Sequence, residues 1–451
     1  MNATPAMPVP LEAGSRALVL GLGRTGLSVS RYLQRKGLEV RVADTRPSPP
    51  GSEALGRQVP AAELRTGAFA SSLLDGVAQV VMSPGLSLQE PLVREAHERG
   101  LPVVGDIELF AREAPAPVVA ITGTNGKSTV TTLVAELAVA GGRRALAGGN
   151  LGEPALDLLE RPVPDVYVLE LSSFQLETTH SLRTAAATVL NVTPDHMDRY
   201  ATLAGYAAAK ARIFDGCELA VINADDAAVR GMPRPGQRVV SFSLEARDAD
   251  YALHREPAPM IVRRGEPLLP LAAMKLTGMH NAANAMAALA LAEALDLPTG
   301  PALEALCAFG GLPHRSQWVA DLGGVRYVND SKGTNVGATL AAVQGMPGPL
   351  VVIAGGDGKN QDFGALRAAF AGKVRHVVLI GRDAPSLEQA LAGACATERA
   401  GDMGSAVRAA QRAARPGDTV LLSPACASLD MYRDYTHRGD EFALAVRSLA
   451  A

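Results

Sequence analysis

Aromatic residues are scarce in this chain, 4% of its 451 positions, with a single tryptophan. Its four cysteines, Cys217, Cys307, Cys395 and Cys426, are scattered without metal-ligand spacing. That excludes a disulfide framework or a zinc knot and predicts reduced, mostly buried thiols. Neither sign of charge dominates, since 43 Lys and Arg stand against 46 Asp and Glu for a net of −3. Without a basic stripe or rings to stack on bases, the chain is not expected to bind nucleic acid. No run approaches the ~18 consecutive apolar residues that span a bilayer. The opening MNATPAMPVPLEAGS lacks the basic flank and apolar stretch of a signal peptide, and its first dozen residues read as disordered. A soluble cytoplasmic protein, not inserted in a membrane, is the expectation.

What is present is a regular alternation. Apolar β-branched runs alternate with Ala/Leu-rich helical stretches, the pattern of an α/β chain with mostly parallel sheets. At about 150 residues per domain, the length predicts three domains. Strand candidates fall into three sets. ALVLG, EVRVAD, QVVMSPG and PVVG come first, then PVVAITG, DVYVLEL, AATVLNVT and LAVIN, and last RYVND, PLVVIAGG, HVVLIG and DTVLLSPA. Boundaries near Gly105–Asp106 and Gly310–Pro313 divide the chain into 1–106, 107–311 and 312–451.

The first strand runs into G-L-G-R-T-G, with Gly21, Gly23 and Gly26 placed for a tight turn and for a pyrophosphate at a helix N-terminus. Asp44 ends the next strand, where such folds place a ribose-binding carboxylate. Alone, this stretch indicates a nicotinamide or flavin enzyme. A hundred residues later stands AITGTNGKSTVTTL, a strand, a glycine-rich loop and Lys127-Ser128-Thr129 at a helix start. The loop amides can cradle phosphates, Lys127 can reach the β/γ-phosphates and Ser128 can ligate Mg²⁺. Strict Walker spacing wants glycine where Ile121 stands, so the loop is a variant with its glycine at Gly123. A dehydrogenase has no use for it.

Other motifs leave two readings each. Glu170, at a strand end in VLELSSFQLE, suits Mg²⁺ beside phosphates or a salt bridge. His196 in LNVTPDHMDRY suits a metal, an acid/base role or plain structure. Lys210 in AAAKARIF reads from its spacing as a solvated helix lysine. His280, Asn281 and Asn284 open an apolar helix, where asparagines cap the helix or reach a nucleotide. Arg315, beside His314 in LPHR, lies at a domain junction where closure would bring it to a triphosphate. Asp330, Ser331, Lys332 and Thr334 follow a strand in YVNDSKGTN. AGGDGKNQDF presents Lys359 to an anion, and LLSPACASLDMYRDYTHRGDEF carries Ser428 and Tyr435.

Together, GTNGKST, the strand-end glutamate, HNxxNxxAA and LPHR resemble the Mur ligases and their folylpolyglutamate synthase relatives, ATP-dependent ligases that join an amino acid to a carboxylate. GLGxTGxS, DTR, SPG, GGNLG, NDSKGTN, GGDGK and LLSPACASLD are similar to the branch that adds D-glutamate to UDP-N-acetylmuramoyl-L-alanine. These blocks run from Gly21 to Gly439.

The resemblance implies a Rossmann-like UDP-sugar domain, a central P-loop ATPase and a C-terminal Rossmann-like domain for the amino acid. It implies a monomer making peptidoglycan precursor through an acyl phosphate, with ATP and two Mg²⁺ ions. By motif, Gly21, Gly23, Thr25, Gly26, Asp44, Thr45, Arg46, Ser83, Pro84, Gly85 and Asn150 would hold the UDP-sugar. Gly123, Thr124, Asn125, Gly126, Lys127, Ser128, Thr129, Asn281, Asn284, Arg315 and Asp330 would hold ATP. Ser128, Glu170, His196 and an N-carboxylated Lys210 would hold magnesium, which replaces the solvated reading of Lys210. Lys127, Glu170, His196 and Lys210 form the implied catalytic set. His314, Lys332, Thr334, Lys359, Ser428 and Tyr435 would contact D-glutamate. Two departures stand out: relatives carry alanine at Gly333, an exchange expected to be harmless, and phenylalanine at Tyr435.

Overall fold

The computed structural model describes residues 12–276, 278–346 and 348–449. The opening segment expected to be disordered lies, up to Leu11, outside them. Every strand read from the sequence forms, and the strands sort into three sheets.

The first sheet is wholly parallel, in the order Glu63–Thr66, Glu39–Asp44, Arg16–Leu20, Val77–Met82 and Val103–Val104. Leu18, Leu20, Val42, Val80 and Val81 are fully buried. Their runs are continuous rather than alternating because helices cover both faces of such a sheet. The order places the ends of three adjacent strands side by side, so the loops beginning at Gly21, Asp44 and Ser83 share one rim. In open α/β sheets that rim binds ligands.

The second sheet has nine strands. Val118–Thr122 lies between Val166–Glu170 and Thr184–Val189, all parallel, which puts the phosphate-type loop between Glu170 and the segment that leads to His196. Ala145–Gly149 pairs outside Val166–Glu170 and delivers Asn150 beside Glu170. The far edge is an antiparallel extension of Tyr251–His254, Met260–Arg263 and Glu266–Pro270. Helices Lys127–Ala140 and Met279–Ala294 pack together on one face. The second is built largely of alanine and is buried along most of its length, small side chains letting it sit close against its neighbour.

The third sheet has six strands, parallel except for the edge strand Gln317–Leu322. Val325–Asn329, Thr419–Leu422 and Leu350–Gly355 are neighbours, so the loops bearing Lys332, Ser428 and Lys359 leave from one edge. The four cysteines are free, and among the described residues no helix is long and apolar enough to cross a membrane.

Candidate active site

The Gly21–Gly26 loop, the Asp44–Arg46 segment and the Ser83–Gly85 segment line one cavity of about 500 Å³, closed by Asn150 on the other side. Gly21, Gly23, Thr25, Asp44, Thr45, Arg46, Ser83, Pro84, Gly85 and Asn150 all face it. Gly26 does not, and its role is steric. A Cβ there would stand 1.9 Å from the Gly21 carbonyl oxygen, so the turn exists only with glycine at this position. Arg24 crosses the cavity to donate to the Gly152 carbonyl at 2.7 Å.

Asp44 lines the cavity and is held there by protein partners. It is buried, and its oxygens accept from the Leu22 N–H at 2.7 Å, the Arg46 N–H at 2.9 Å and the Arg46 guanidinium at 2.6 and 2.9 Å. The hydrogen bond from Arg46 pulls its pKa down to about 2. Asp44 therefore fixes the turn and aims Arg46, leaving Arg46, half-exposed, as the group displayed to a ligand.

A second cavity, of about 300 Å³, lies between the central and third sheets. Asn125, Gly126, Thr129, Asn281, Asn284, Arg315 and Asp330 line it. Phe242 and Leu276 give it an apolar end, which the sequence did not signal. Gly123 and Gly126 have φ of +150° and +85°, and a Cβ on Gly126 would meet Asn284 Oδ1 at 2.5 Å. The asparagine pair of the alanine-rich helix thus sits directly under the loop. Thr124 Oγ1 accepts from the Thr193 N–H at 3.0 Å, and Lys127 Nζ turns back onto the Gly123 and Thr124 carbonyls, 2.9 Å each. Burial lowers the Lys127 pKa, and Arg315 adds to the effect.

One chain of hydrogen bonds joins the two cavities. Asn150 Nδ2 donates to Glu170 Oε1 at 2.6 Å, Ser128 Oγ donates to Glu170 Oε2 at 2.6 Å, and Arg315 Nη2 reaches Ser128 Oγ at 2.7 Å. Asn150 of the first cavity and Ser128 of the phosphate-loop helix thus meet on Glu170, and Arg315 of the second cavity is joined to them through Ser128.

Two contacts relate the residues expected at metal. Ser128 and Glu170 touch. His196 and Lys210 both lie against Tyr206, with ring centroids 6.3 Å apart for the histidine and Nζ 4.4 Å from the ring centre for the lysine. Among the described residues no three His, Cys, Asp or Glu side chains converge as a metal-binding group. Lys210 is not solvated. It is 1% exposed, Nζ donates to the Gly123 carbonyl at 2.9 Å, and burial drives its pKa well below the usual lysine value. Burial also lowers the His196 pKa, so its imidazole is neutral near pH 7.

The segment around His196 touches all three parts of the molecule. Arg199 donates to the Pro84 carbonyl at 3.0 Å, Asp195 accepts from Lys359 Nζ at 2.7 Å, and Asn335 donates to Asp195 at 3.1 Å. Asp195, Arg199 and Asn335 were not singled out from sequence as site residues, because their partners are far away in the chain. Backbone strain marks the same region. Of the eight non-glycine residues at positive φ among the described residues, six (His196, His314, Ser316, Lys359, Asn360 and Ala425) belong to the loops of these two cavities and of the third-sheet edge.

On the third sheet, Lys332 Nζ lies 3.8 Å from the centre of the Tyr435 ring, and that ring and the His314 imidazole form a T-shaped pair. Burial, with Arg315 and Lys127 nearby, lowers the Lys332 pKa to about 8. Asp330 is buried, accepts from the Ser316 N–H and Ser423 Oγ, and its pKa rises to about 6 through desolvation. Lys359 is engaged by Asp195. The Thr334 N–H bonds back to the Lys332 carbonyl, and Ser428 is buried at the start of a turn whose Tyr432 N–H it accepts. At Gly333 a Cβ would fall 2.8 Å from both Asp330 Oδ2 and Ser423 Oγ, so the glycine is set by space in this chain and alanine would require a shift.

Comparison with known proteins agrees with this arrangement. Family models match in order: the Mur ligase MurD-like N-terminal domain over residues 15–105, the Mur ligase middle domain over 121–292, and the Mur ligase glutamate ligase domain over 314–426. The UDP-N-acetylmuramoylalanine–D-glutamate ligase of Nitrosococcus oceani is 52% identical over 446 residues, 98% of each chain. That of Methylobacillus flagellatus is 53% identical over 440 residues, 96% of this chain and 97% of its own. Among solved structures, the UDP-N-acetylmuramate–alanine ligase of Thermotoga maritima shares the fold with a TM-score of 0.61 at 19% identity, covering 96% of this chain and 99% of that one. With three family models in register and half of all residues shared with full-length relatives, the chain belongs to the Mur ligase family.

Proposed function

We infer that this chain adds D-glutamate to UDP-N-acetylmuramoyl-L-alanine at the expense of ATP, giving ADP and phosphate, as a step in peptidoglycan precursor synthesis in the cytoplasm. The observation that carries this reading is the bridge from Asn150 through Glu170 to Ser128 and Arg315. It couples a pyrophosphate-type cavity to a phosphate loop at one carboxylate, as a reaction between a UDP-sugar and ATP requires. A sensor that only bound both nucleotides would need no such junction. Residues 1–106 are assigned to the UDP-sugar, 107–311 to ATP and 312–451 to the amino acid.

A carboxylate is a poor acylating agent. The alanyl carboxylate therefore attacks the γ-phosphorus, forming an O–P bond as ADP departs. The amine of D-glutamate then attacks the acyl carbon, and phosphate leaves. Negative charge accumulates in both steps, so the protein's contribution is positional and electrostatic. Lys127 and Arg315 lie at the phosphate loop. Lys332 and Lys359 converge from the third sheet, where His314, Thr334, Ser428 and Tyr435 complete the proposed amino-acid set. Ser128 and Glu170 offer the hard oxygen ligands that Mg²⁺ takes, and the neutral His196 offers a nitrogen. Lys210 would join them as an N-carboxylated side chain. Mg²⁺ held there supplies neutralisation of the triphosphate.

The test is phosphate release from ATP, Mg²⁺ and UDP-N-acetylmuramoyl-L-alanine across a panel of amino acids. D-Glutamate should be the preferred acceptor, and Lys127→Ala should abolish ADP formation without unfolding the protein. Equal release with every amino acid, or normal turnover by the variant, would sink this reading.

A further inference from the structure

Arg438 is the largest fully buried side chain among the described residues, at 0% exposure. It lies in the first turn of the Tyr435–Ser448 helix, and its guanidinium has no carboxylate within 4.0 Å among the described residues. Burying a guanidinium without a counter-charge is costly, and an apolar side chain of similar volume would fill the space at less cost. Its partners explain what it does. Nε donates to Ser331 Oγ at 3.0 Å and Nη2 to the Ser331 carbonyl at 2.7 Å, while Nη1 donates to the Cys426 and Ala427 carbonyls at 3.0 and 3.3 Å. Ser331 Oγ in turn donates to the Tyr435 carbonyl at 2.7 Å. The Ala427 backbone pairs with Asp357, at the start of the turn that carries Lys359.

Every segment so tied bears a member of the proposed amino-acid set. Lys332 follows Ser331, Ser428 follows Ala427, and Tyr435 opens the helix that carries Arg438. A planar fork with five donors can hold two separate loops to its own helix at once; a lysine cannot.

We propose that Arg438 is the positioning residue of the amino-acid site, setting the mutual placement of Lys332, Ser428 and Tyr435 without touching the substrate. The proposal rests on the assignment of the third domain to the amino acid. Burial lowers the Arg438 pKa to about 10, so the group stays charged at neutral pH.

The experiment compares wild type with Arg438→Lys, Arg438→Met and Ser331→Ala, measuring KM for D-glutamate, ATP and the UDP-sugar separately. Wild-type turnover with D-glutamate, measured first, tests the functional reading by itself; if another amino acid is the substrate, the same comparison is made with it. Both Arg438 variants should raise the amino-acid KM by about tenfold or more, since charge-assisted bonds are lost. The UDP-sugar KM should stay within about twofold, because its cavity lies on other elements, while the ATP KM, whose cavity includes Asp330 beside Ser331, should rise less than the amino-acid KM. Ser331→Ala, which removes one acceptor, should show a smaller rise of the same kind. Amide exchange over residues 330–334 and 424–429 should quicken in Arg438→Lys, while the Arg24–Arg35 helix keeps its protection. An unchanged amino-acid KM, or a parallel rise in all three KM values, overturns the proposal. Should Arg438→Met fail to fold, Arg438→Lys and Ser331→Ala still decide it.

Discussion

Asn125 of the phosphate loop and Asn335 at the start of the Val336–Gly345 helix exchange hydrogen bonds through their side-chain amides, at 3.4 and 3.2 Å, across 210 residues of sequence. Asn335 also accepts from the Ala338 N–H as a helix cap and donates to Asp195. With Arg315 on Ser128, this pair ties the third sheet to the central one. Asn335→Ala removes a cap worth ~1 kcal/mol and interdomain bonds worth about 0.5–1.5 kcal/mol each. The expected result is a drop of about tenfold in kcat/KM for the amino acid and a larger radius of gyration in solution scattering with nucleotide bound. Unchanged scattering and kinetics would show that the pair does not hold the two sheets together.

The lowered pKa of Lys332, about 8, gives a pH dependence with a definite sign. Below that value the ammonium is charged and attracts a carboxylate. As pH rises through it the charge is lost, so KM for D-glutamate should increase between pH 7 and pH 9. Lys332→Arg keeps its charge throughout. Its KM profile should lack the component assigned to Lys332 and retain only that of the substrate amine. Superimposable profiles for the two proteins would assign the titration elsewhere.

Gly26 tests the first cavity by sterics alone. The methyl of Gly26→Ala would collide with the Gly21 backbone, which no rotamer change can relieve. UDP-sugar binding should fall by at least about a hundredfold, with a loss of stability of several kcal/mol at most, typical of backbone strain and overpacking. Calorimetric titration with the UDP-sugar and a denaturant series are the measurements. Wild-type affinity would mean that the turn can open at no cost.

These cases also show what could be read from the chain and what could not. The Gly21 and Lys127 loops were legible because each is a run of consecutive residues whose backbone does the work, and the glycines announce it. The buried strands were legible because covered parallel strands are continuously apolar. Glu63–Thr66 and Ala396–Arg399 escaped as short, polar edge strands, and Ala145–Gly149, Arg238–Ser243, Tyr251–His254, Met260–Arg263, Glu266–Pro270 and Gln317–Leu322 escaped because none is a long, continuously apolar run. Asp44 was placed correctly but its use was not foreseen, since its partners are the Leu22 amide and an arginine two residues on. Lys210 looked solvated because alanines surround it in sequence, while Gly123 and Tyr206 surround it in space. Arg438 left no signal at all, as three of its four hydrogen bonds end on backbone carbonyls.

Lys210 yields the most exacting prediction. Its Nζ has one acceptor, the Gly123 carbonyl, for three possible donors, and burial together with Lys127 favours the neutral amine. A neutral amine is the form that attacks carbon dioxide. The nitrogen gains a bond to carbon and loses a proton, and the product is a carbamate anion facing Lys127 rather than a second cation. Enzyme equilibrated with isotopically labelled bicarbonate should show a carbamate carbon resonance that is missing in Lys210→Arg. Removing bicarbonate should lower turnover reversibly, with folding and UDP-sugar binding unaffected. A fully active, bicarbonate-depleted enzyme with a bare Lys210 amine would exclude carboxylation and leave this lysine as a strut beneath the phosphate loop.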